Sequence, residues 1–335
     1  MVCIVDWSIR CYCLIGLISG QTPIIQVVGA GFLICCDPLQ DPDAQNSNIP
    51  RMEKSYDLHS HTLQSDGTLT PTALVERAAE KGVDVLALTD HDVTDGLAEA
   101  KAAADRCGIR LIPGVEVSAN WEGMTLHVVG LDIEPGNETL EQGLAGLRAQ
   151  RNERALEMAA GLEKIGITGS HEGASRLAKG KILSRTHFAR HLVETGHASD
   201  MGKAFKKFLR KGKAGFVRSD WCALETSVSW IQAAGGRAVI AHPERYTLGR
   251  ARMERMLRAF KECGGDGIEV VSGSHSPGGV EKFGRIACEF ELLASRGSDF
   301  HGPEATWIEL GRLPRLPEYC VPVWHDNFGV AEAVD

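Results

Sequence analysis

YDLHSHTLQSDG, residues 56–67, is the stretch on which the reading of this chain turns. A short strand-like piece runs into His59-x-His61, and an Asp66-Gly67 turn follows. On a strand, residues i and i+2 share a face, so the two imidazoles can reach one metal ion together. The spacing alone leaves two readings open: a metal pair, or a strand that happens to carry two histidines.

Outward from this stretch, apolar runs alternate with amphipathic segments. The runs predict strands at Tyr56–Leu58, Val83–Leu88, Leu111–Val117, Leu126–Leu131, Arg237–Ala241, Gly267–Val271 and Leu292–Ser295. Thr70-Pro71 predicts a cap and first-turn proline for a helix that Gly82 closes. Thr94 or Asp95 opens a second, ending on Gly108. Strand–helix alternation favours an α/β fold with a parallel sheet and helices outside it. Residues 137–235 break the alternation. They predict helices over 138–165, 184–195, 199–211 and 223–234, with at most a strand at 215–217, and read as a helical insertion. The net charge of the chain is -8, yet from Arg176 to Arg218 there are 12 Lys/Arg against Glu194 and Asp200.

Residues that bind metals collect where the strands end: His59, His61, Asp66, His91 in LTDHD, Glu116 in PGVEVS, His242 in IAHPER, and Asp299 and His301 in GSDFHG. His127 falls within or before its strand and fits this series least well. In parallel α/β barrels the strand C-termini converge on the face that holds the active site. Gathering six imidazoles and three carboxylates without a cation is costly. Two or three ions such as Zn²⁺, Mn²⁺ or Fe²⁺ suit a mixed His and carboxylate set better than Mg²⁺ or Ca²⁺. Glu116 has two oxygens and can bridge two ions.

The elements DLHSH, SDG, LTDHD, PGVE, HVVG, AHP and GSDFH resemble those of the polymerase and histidinol phosphatase (PHP) family of metal-dependent phosphoesterases, over residues 55–312. The resemblance implies a distorted seven-stranded TIM-like β/α barrel, formed here by 54–136 and 236–315, with 137–235 inserted and 316–335 as a tail. It implies metal ligands at His59, His61, Asp66, His91, Glu116, His127, His242, Asp299 and His301, with Mn²⁺ the expected ion and Zn²⁺ or Fe²⁺ the alternatives. RTHFAR, FKKFL, GKAGFV, HPERY and WIELG are similar to a branch of the family that includes nucleotide phosphatases acting on AMP and 3′,5′-bisphosphonucleotides and ribonuclease AM. That likeness implies a 5′-3′ exoribonuclease, a bisphosphonucleotide phosphatase, or both, acting on nucleotides or short 5′-phosphorylated RNA without DNA specificity. A phosphatase of small metabolites such as histidinol phosphate, and a non-catalytic binding module of the same fold, are the alternatives.

Divalent ions suit phosphoester hydrolysis, with a metal-bridging hydroxide as the expected nucleophile. Asp66, His91, Glu116, Asp299 and His301 are the residues expected at the reacting centre. Asp57 and Asp90 are read as orienting ligand imidazoles through their second ring nitrogen. Arg185, His187 and Arg245 are the phosphate-binding candidates. Lys206, Lys207, Arg210 and Lys211 are placed along a nucleic-acid backbone, the other reading being a solvated helical face. Phe205, Phe208, Phe216 and Trp221 could stack on a base or pack in the core.

The first 53 residues match nothing in that branch. Cys11 to Cys36 is uncharged and long enough to cross a bilayer, but Gly16, Gly20, Pro23, Gly29 and Gly31 interrupt it. A basic n-region and a small-residue cleavage site are lacking. We read 1–53 as an extension and linker, with a membrane partner only if 11–36 is a true segment. Ten scattered cysteines without a C-x-x-C pair argue against a thiolate zinc site and for a reducing, cytoplasmic location.

Overall fold

Eight strands carry the fold: β1 (Tyr56–Asp57), β2 (Val85–Leu88), β3 (Arg110–Trp121), β4 (Met124–Leu131), β5 (Cys222–Ala223), β6 (Arg237–Ile240), β7 (Gly267–Ser272) and β8 (Leu293–Gly297). The computed structural model describes residues 54–304, 308–326 and 328. The N-terminal extension with its uncharged run, and residues 329–335, lie outside them. Seven strands form the sheet in the order β1-β2-β3-β4-β6-β7-β8, and β5 pairs with the outer end of β3. The Leu58 N–H donates to the Arg296 carbonyl at 3.0 Å, and Ser60 and Phe300 bridge in parallel, so the sheet comes close to closing on itself.

The seven expected runs are all strands, but one runs backwards. β4 is antiparallel to both β3 and β6. The cause is local. Only Glu122 and Gly123 join β3 to β4, both in the left-handed region with φ of 44° and 73°. A two-residue connection of that kind makes a hairpin, because a parallel crossover needs a dozen residues or more.

Alternation along the strands sorts the core into layers. Val85, Ala87, Val129, Leu131, Val239 and Ala241 share one cluster with Val323 and Phe328 from the tail. Their neighbours Leu86, Leu88, Val128, Ala238 and Ile240 belong to a larger cluster with residues of the helices α1 (Pro71–Glu80), α2 (Leu97–Cys107), α7 (Leu224–Ala233), α8 (Arg250–Glu262) and α9 (Pro277–Glu289). Thr70 caps α1 by accepting from the Ala73 N–H at 3.1 Å. α2 starts at Leu97 rather than at Thr94 or Asp95, because those side chains reach across the chain: Thr94 to Glu141, and Asp95 to Lys181 at 2.6 Å.

Between β4 and β6 lie α3 (Glu138–Glu163), α4 (Ser170–Leu177), α5 (Arg185–Glu194) and α6 (Met201–Ala204), followed by a π turn over Phe205–Leu209. They have a hydrophobic cluster of their own, built on Met158, Leu162, Phe188, Leu192 and Leu209. Residues 215–217 form no strand. Gly180 makes a close approach here, since a Cβ on it would stand 2.0 Å from the Gln64 carbonyl oxygen. The insertion therefore lies directly against the loop that follows His61.

Candidate metal centre and active site

The reversal of β4 explains His127. In an antiparallel strand the N-terminal end lies beside the C-terminal ends of the other strands, so His127 reaches the same rim as His59, His61, His91, His242 and His301. All nine candidate ligands meet there. Glu116 is the centre. Its Oε1 lies 2.8 Å from His127 Nδ1 and 2.9 Å from His242 Nε2. Its Oε2 lies 2.9 Å from His91 Nδ1 and 3.3 Å from both His59 Nε2 and His61 Nε2. Asp299 Oδ1 is 3.1 Å from His61 Nε2, and Asp66 Oδ1 is 3.2 Å from His301 Nε2.

Glu116 Oε1 is hydrogen-bonded to His127 and His242, and Asp299 Oδ1 to His61, but the set is not satisfied throughout. Asp66 Oδ1, Glu116 Oε2, His91 Nδ1 and His242 Nδ1 are buried and have no hydrogen-bond partner. Three sets have ligand atoms within 4.8 Å of one another: His61, Asp66, His91 and His301; His59, His61, Glu116 and Asp299; and His91, Glu116 and His127. Orphaned lone pairs converging from imidazole and carboxylate donors are what divalent cations satisfy, so the residues fit a metal cluster.

The electrostatics agree. Burial pushes the carboxyls of Asp66, Glu116 and Asp299 up, but surrounding imidazoles, and Arg245 for Asp299, outweigh it and hold all three well below the usual carboxylate range. Burial alone would lower His61, yet Asp299 and Glu116 raise it to about 10. Carboxylates that draw a proton onto His61 so strongly draw a cation into the same place. Burial lowers His91 to about 4 and also lowers His242, keeping both neutral, as ligands must be.

The chain twists sharply where it delivers ligands. His242 and Asp299 take left-handed conformations, with φ of 31° and 56°, as does Asp92 beside His91, with φ of 51°. Such residues persist only where neighbours hold them. The Asp92 carboxylate receives the Ser118 N–H at 2.8 Å and Arg151 Nε at 2.6 Å.

The orientation of the His59 ring comes from a residue the sequence reading missed. Glu269 on β7 accepts from His59 Nδ1 at 2.6 Å, which leaves Nε2 facing Glu116, and its other oxygen accepts the His242 N–H at 2.5 Å. An acid inside the apolar run GIEVVS was the available signal. Asp57 instead receives the Ser298 and Gly311 N–H groups, tying β1 to β8. Asp90 receives the Thr62 N–H at 2.7 Å and the Ser65 hydroxyl, whose oxygen is 3.4 Å from His61 Nδ1, so it acts on an imidazole at one remove. His301 Nδ1 donates to the Asp299 carbonyl at 2.8 Å. Ser184, at the cap of α5, donates to Asp66 Oδ2 at 2.9 Å and leaves Oδ1 free for a cation.

A cavity of about 750 Å³ opens onto this cluster. Asp66, His91, His127, His242, Asp299 and His301 line part of it. The cavity lining also has a cationic and aromatic set: Arg151, Arg154, Arg185, Lys211 and Arg218 with Phe205, Phe216 and Trp221. Of the phosphate-binding candidates, Arg185 and Arg245 line it, and Arg245 also pairs with Asp299 Oδ2 at 2.5 Å. His187 is buried in α5, where its Nδ1 accepts the Ser184 N–H at 3.1 Å; it acts as a helix cap and is not part of the cavity wall. Lys206, Lys207 and Arg210 are exposed and outside that wall. Phe208 is buried, in the core. Arg151 and Arg154, spaced to share a face of α3, were not anticipated.

Comparison with known proteins agrees with this geometry. A 3′,5′-nucleoside bisphosphate phosphatase of Chromobacterium violaceum is 50% identical over 273 residues, which is 81% of this chain and 96% of that protein. The 5′-3′ exoribonuclease Rnm of Escherichia coli is 47% identical over 271 residues, 80% of this chain and 92% of that one. A solved structure of a Chromobacterium violaceum amidohydrolase, with bound sulfate and no metal, superposes with a TM-score of 0.79 at 49% identity, covering 81% of this chain and 95% of that one. A structure from Bifidobacterium adolescentis assigned as a metal-dependent phosphoesterase gives 0.68 at 29% identity, covering 81% and 93%. The PHP domain model matches residues 57–274, a span that carries every candidate ligand from His59 to His242, and the chain belongs to the PHP domain family.

Proposed function

We propose that this chain is a metal-dependent phosphoesterase that breaks the P–O3′ bond of 5′-phosphorylated nucleotides, as a 3′,5′-nucleoside bisphosphate phosphatase, a 5′-3′ exoribonuclease, or both. The observation that carries the proposal is one cavity lined both by the carboxylates and imidazoles of the cluster and by guanidiniums. The activities named for the two relatives differ less than their names suggest. Removing a 3′-phosphate from a bisphosphonucleotide, and releasing the first nucleotide of a 5′-phosphorylated RNA, both break P–O3′. The departing group is the same nucleoside 5′-phosphate. Only the substituent on the phosphorus differs, a hydroxyl or the rest of an RNA.

His59, His61, Asp66, His91, Glu116, His127, His242, Asp299 and His301 would hold two or three divalent ions, with Mn²⁺ the ion proposed. When bound, such ions supply Lewis acidity toward phosphoryl oxygens and toward water. Arg245, at the cavity edge against Asp299, adds a fixed cation next to the phosphoryl group. A histidinol-phosphate-like substrate fits less well, since its ammonium would face the guanidinium wall. A cytoplasmic location goes with this reading, supported by the unpaired state of the five cysteines among the described residues.

The test is incubation of the purified, Mn²⁺-loaded protein with a 3′,5′-bisphosphonucleotide and with short 5′-labelled RNA. Release of orthophosphate or of labelled mononucleotide is expected; neither product, with metal bound, refutes the proposal. Raising the salt then ranks the substrates, because RNA held through several phosphates weakens more steeply than a mononucleotide.

A further inference from the structure

We infer that Cys288 and Cys320 form an oxidation site, at which a peroxide converts an exposed thiol and its buried partner to a disulfide that fastens the C-terminal tail to α9. The site uses no residue of the metal-ligand cluster or of the cavity.

Each thiol hydrogen-bonds to the segment that carries the other. Cys288 Sγ donates to the Tyr319 carbonyl at 3.4 Å, one residue before Cys320. Cys320 Sγ donates to the Gly284 carbonyl at 3.7 Å. In an α-helix that carbonyl also receives the N–H four residues on, here that of Cys288, so the Cys320 sulfur lies one turn from Cys288 on the same face. The two side chains hydrogen-bond to each other as well. Gly284 makes room for this approach. A Cβ on it would stand 2.9 Å from the Tyr319 hydroxyl oxygen and 3.4 Å from Cys320 Sγ. The tail is anchored on both sides of the thiol. The Tyr319 hydroxyl donates to Glu281 at 3.1 Å, and Ala294 on β8 donates to the Val321 carbonyl at 2.8 Å and accepts the Val323 N–H at 2.9 Å. Two thiols held in contact by anchored backbone can be bridged without moving it.

Their surroundings set the order of events. Cys288 is exposed, whereas Cys320 is 8% exposed. Burial and the adjoining Cys288 push the Cys320 thiol up to about 12, so it stays protonated and is a poor first target. Peroxide therefore meets Cys288. The Cys288 sulfur takes one peroxide oxygen to become a sulfenic acid, and the other oxygen leaves as water. The Cys320 sulfur then bonds the Cys288 sulfur, and its proton leaves with the sulfenic hydroxyl as a second water. In all, two thiols give two electrons and two protons to the peroxide O–O bond. The disulfide closes a loop over residues 288–320, which holds β8 with Asp299 and His301, so oxidation ties down the strand that ends in two candidate metal ligands. A reducing compartment returns the pair to thiols, the state of both in this structure.

The experiment treats the full-length wild type, C288S and C320S with hydrogen peroxide, alkylates the remaining thiols in urea, and maps the unreduced digests by mass spectrometry. The expected wild-type product is a peptide pair joining Cys288 to Cys320, lighter than the two free peptides by two hydrogens and released by dithiothreitol. In C320S the sulfenic acid has no partner, so dimedone should label Cys288 there and leave it unlabelled in wild type. Oxidised wild type should melt about 5–10 °C above the reduced protein, a difference that C288S abolishes. Cys288 joined to another cysteine, or driven to the sulfinic acid while Cys320 is recovered alkylated, overturns the inference. Equal melting temperatures of the cross-linked and reduced protein overturn it too, since the bond would then fasten nothing. Circular dichroism of the reduced variants checks their folding; should C320S, whose thiol is buried, fail to fold, the wild-type peptide map and the C288S control decide without it.

Discussion

Replacing Glu269 by Gln tests whether the metal centre is oriented from behind. The side chain keeps its size, and Glu269 is 1% exposed, so packing is preserved. The hydrogen bonding is not. Glu269 accepts from two donors at once, His59 Nδ1 at 2.6 Å and the His242 N–H at 2.5 Å. A carboxamide has one acceptor oxygen and an NH₂ group, so one donor must face another donor. Hydrogen bonds to charged groups are worth about 1.5–3 kcal/mol each. If the His59 bond is lost, the ring is no longer held with Nε2 toward Glu116 and Asp299. Partners of this kind typically account for about 10- to 100-fold in metal affinity, or about 1.4–2.7 kcal/mol. The assay is competition for Mn²⁺ or Zn²⁺ against a chelating dye, with circular dichroism confirming the fold. Affinity within about twofold of wild type, in a variant whose melting temperature has dropped, would show that His59 is oriented without Glu269 and refute the reasoning.

Ser184→Ala removes the donor to Asp66 Oδ2, and should weaken binding of the ion that Asp66 would hold by about tenfold while leaving the others bound, read by metal titration with elemental analysis. Gly180→Ala puts a Cβ 2.0 Å from the Gln64 carbonyl oxygen, and should cost about 1–3 kcal/mol in urea unfolding; an unchanged midpoint would mean that the insertion and the His61–Gly67 loop are not pressed together. His187 is lowered to about 4 chiefly by burial, so the folded chain binds fewer protons than the unfolded one between pH 4 and 6.5. Its contribution is complete above about pH 6.5 and is lost as the pH falls toward 4. His187→Gln, which can still serve as a helix cap, should remove up to about 3 kcal/mol of that acid sensitivity in unfolding measured at pH 7 and pH 4.

Much of the site was legible because its residues mark the ends of short apolar runs. His59, Asp66, His91, Glu116, His242, Asp299 and His301 could be gathered once the strands were placed, since a barrel brings strand ends together whatever the intervening sequence. The substrate side was harder. Lys206, Lys207 and Arg210 stand out in sequence because they crowd together, yet they face solvent. Arg151 and Arg154 are hidden among ordinary helix-surface charges in QRNERALE, and only the packing of α3 against the rim turns them into the cavity. His187 looked like a phosphate ligand from its place in the RTHFAR segment; the capping geometry of α5 gives its ring nitrogen to a backbone N–H instead.

By itself the sequence determined what depends on residue type and period: seven strands, a charged helical insertion, and a donor set suited to borderline metals. Tertiary structure decided what depends on direction. The left-handed Glu122-Gly123 turn reverses β4 and thereby carries His127 to the rim. β7 places Glu269 behind His59, more than 200 positions away in the chain. The cap of α5 sets a hydroxyl on Asp66. Each is a long-range placement of one polar group beside another, and the lone pairs and charges left over around Glu116 follow from those placements.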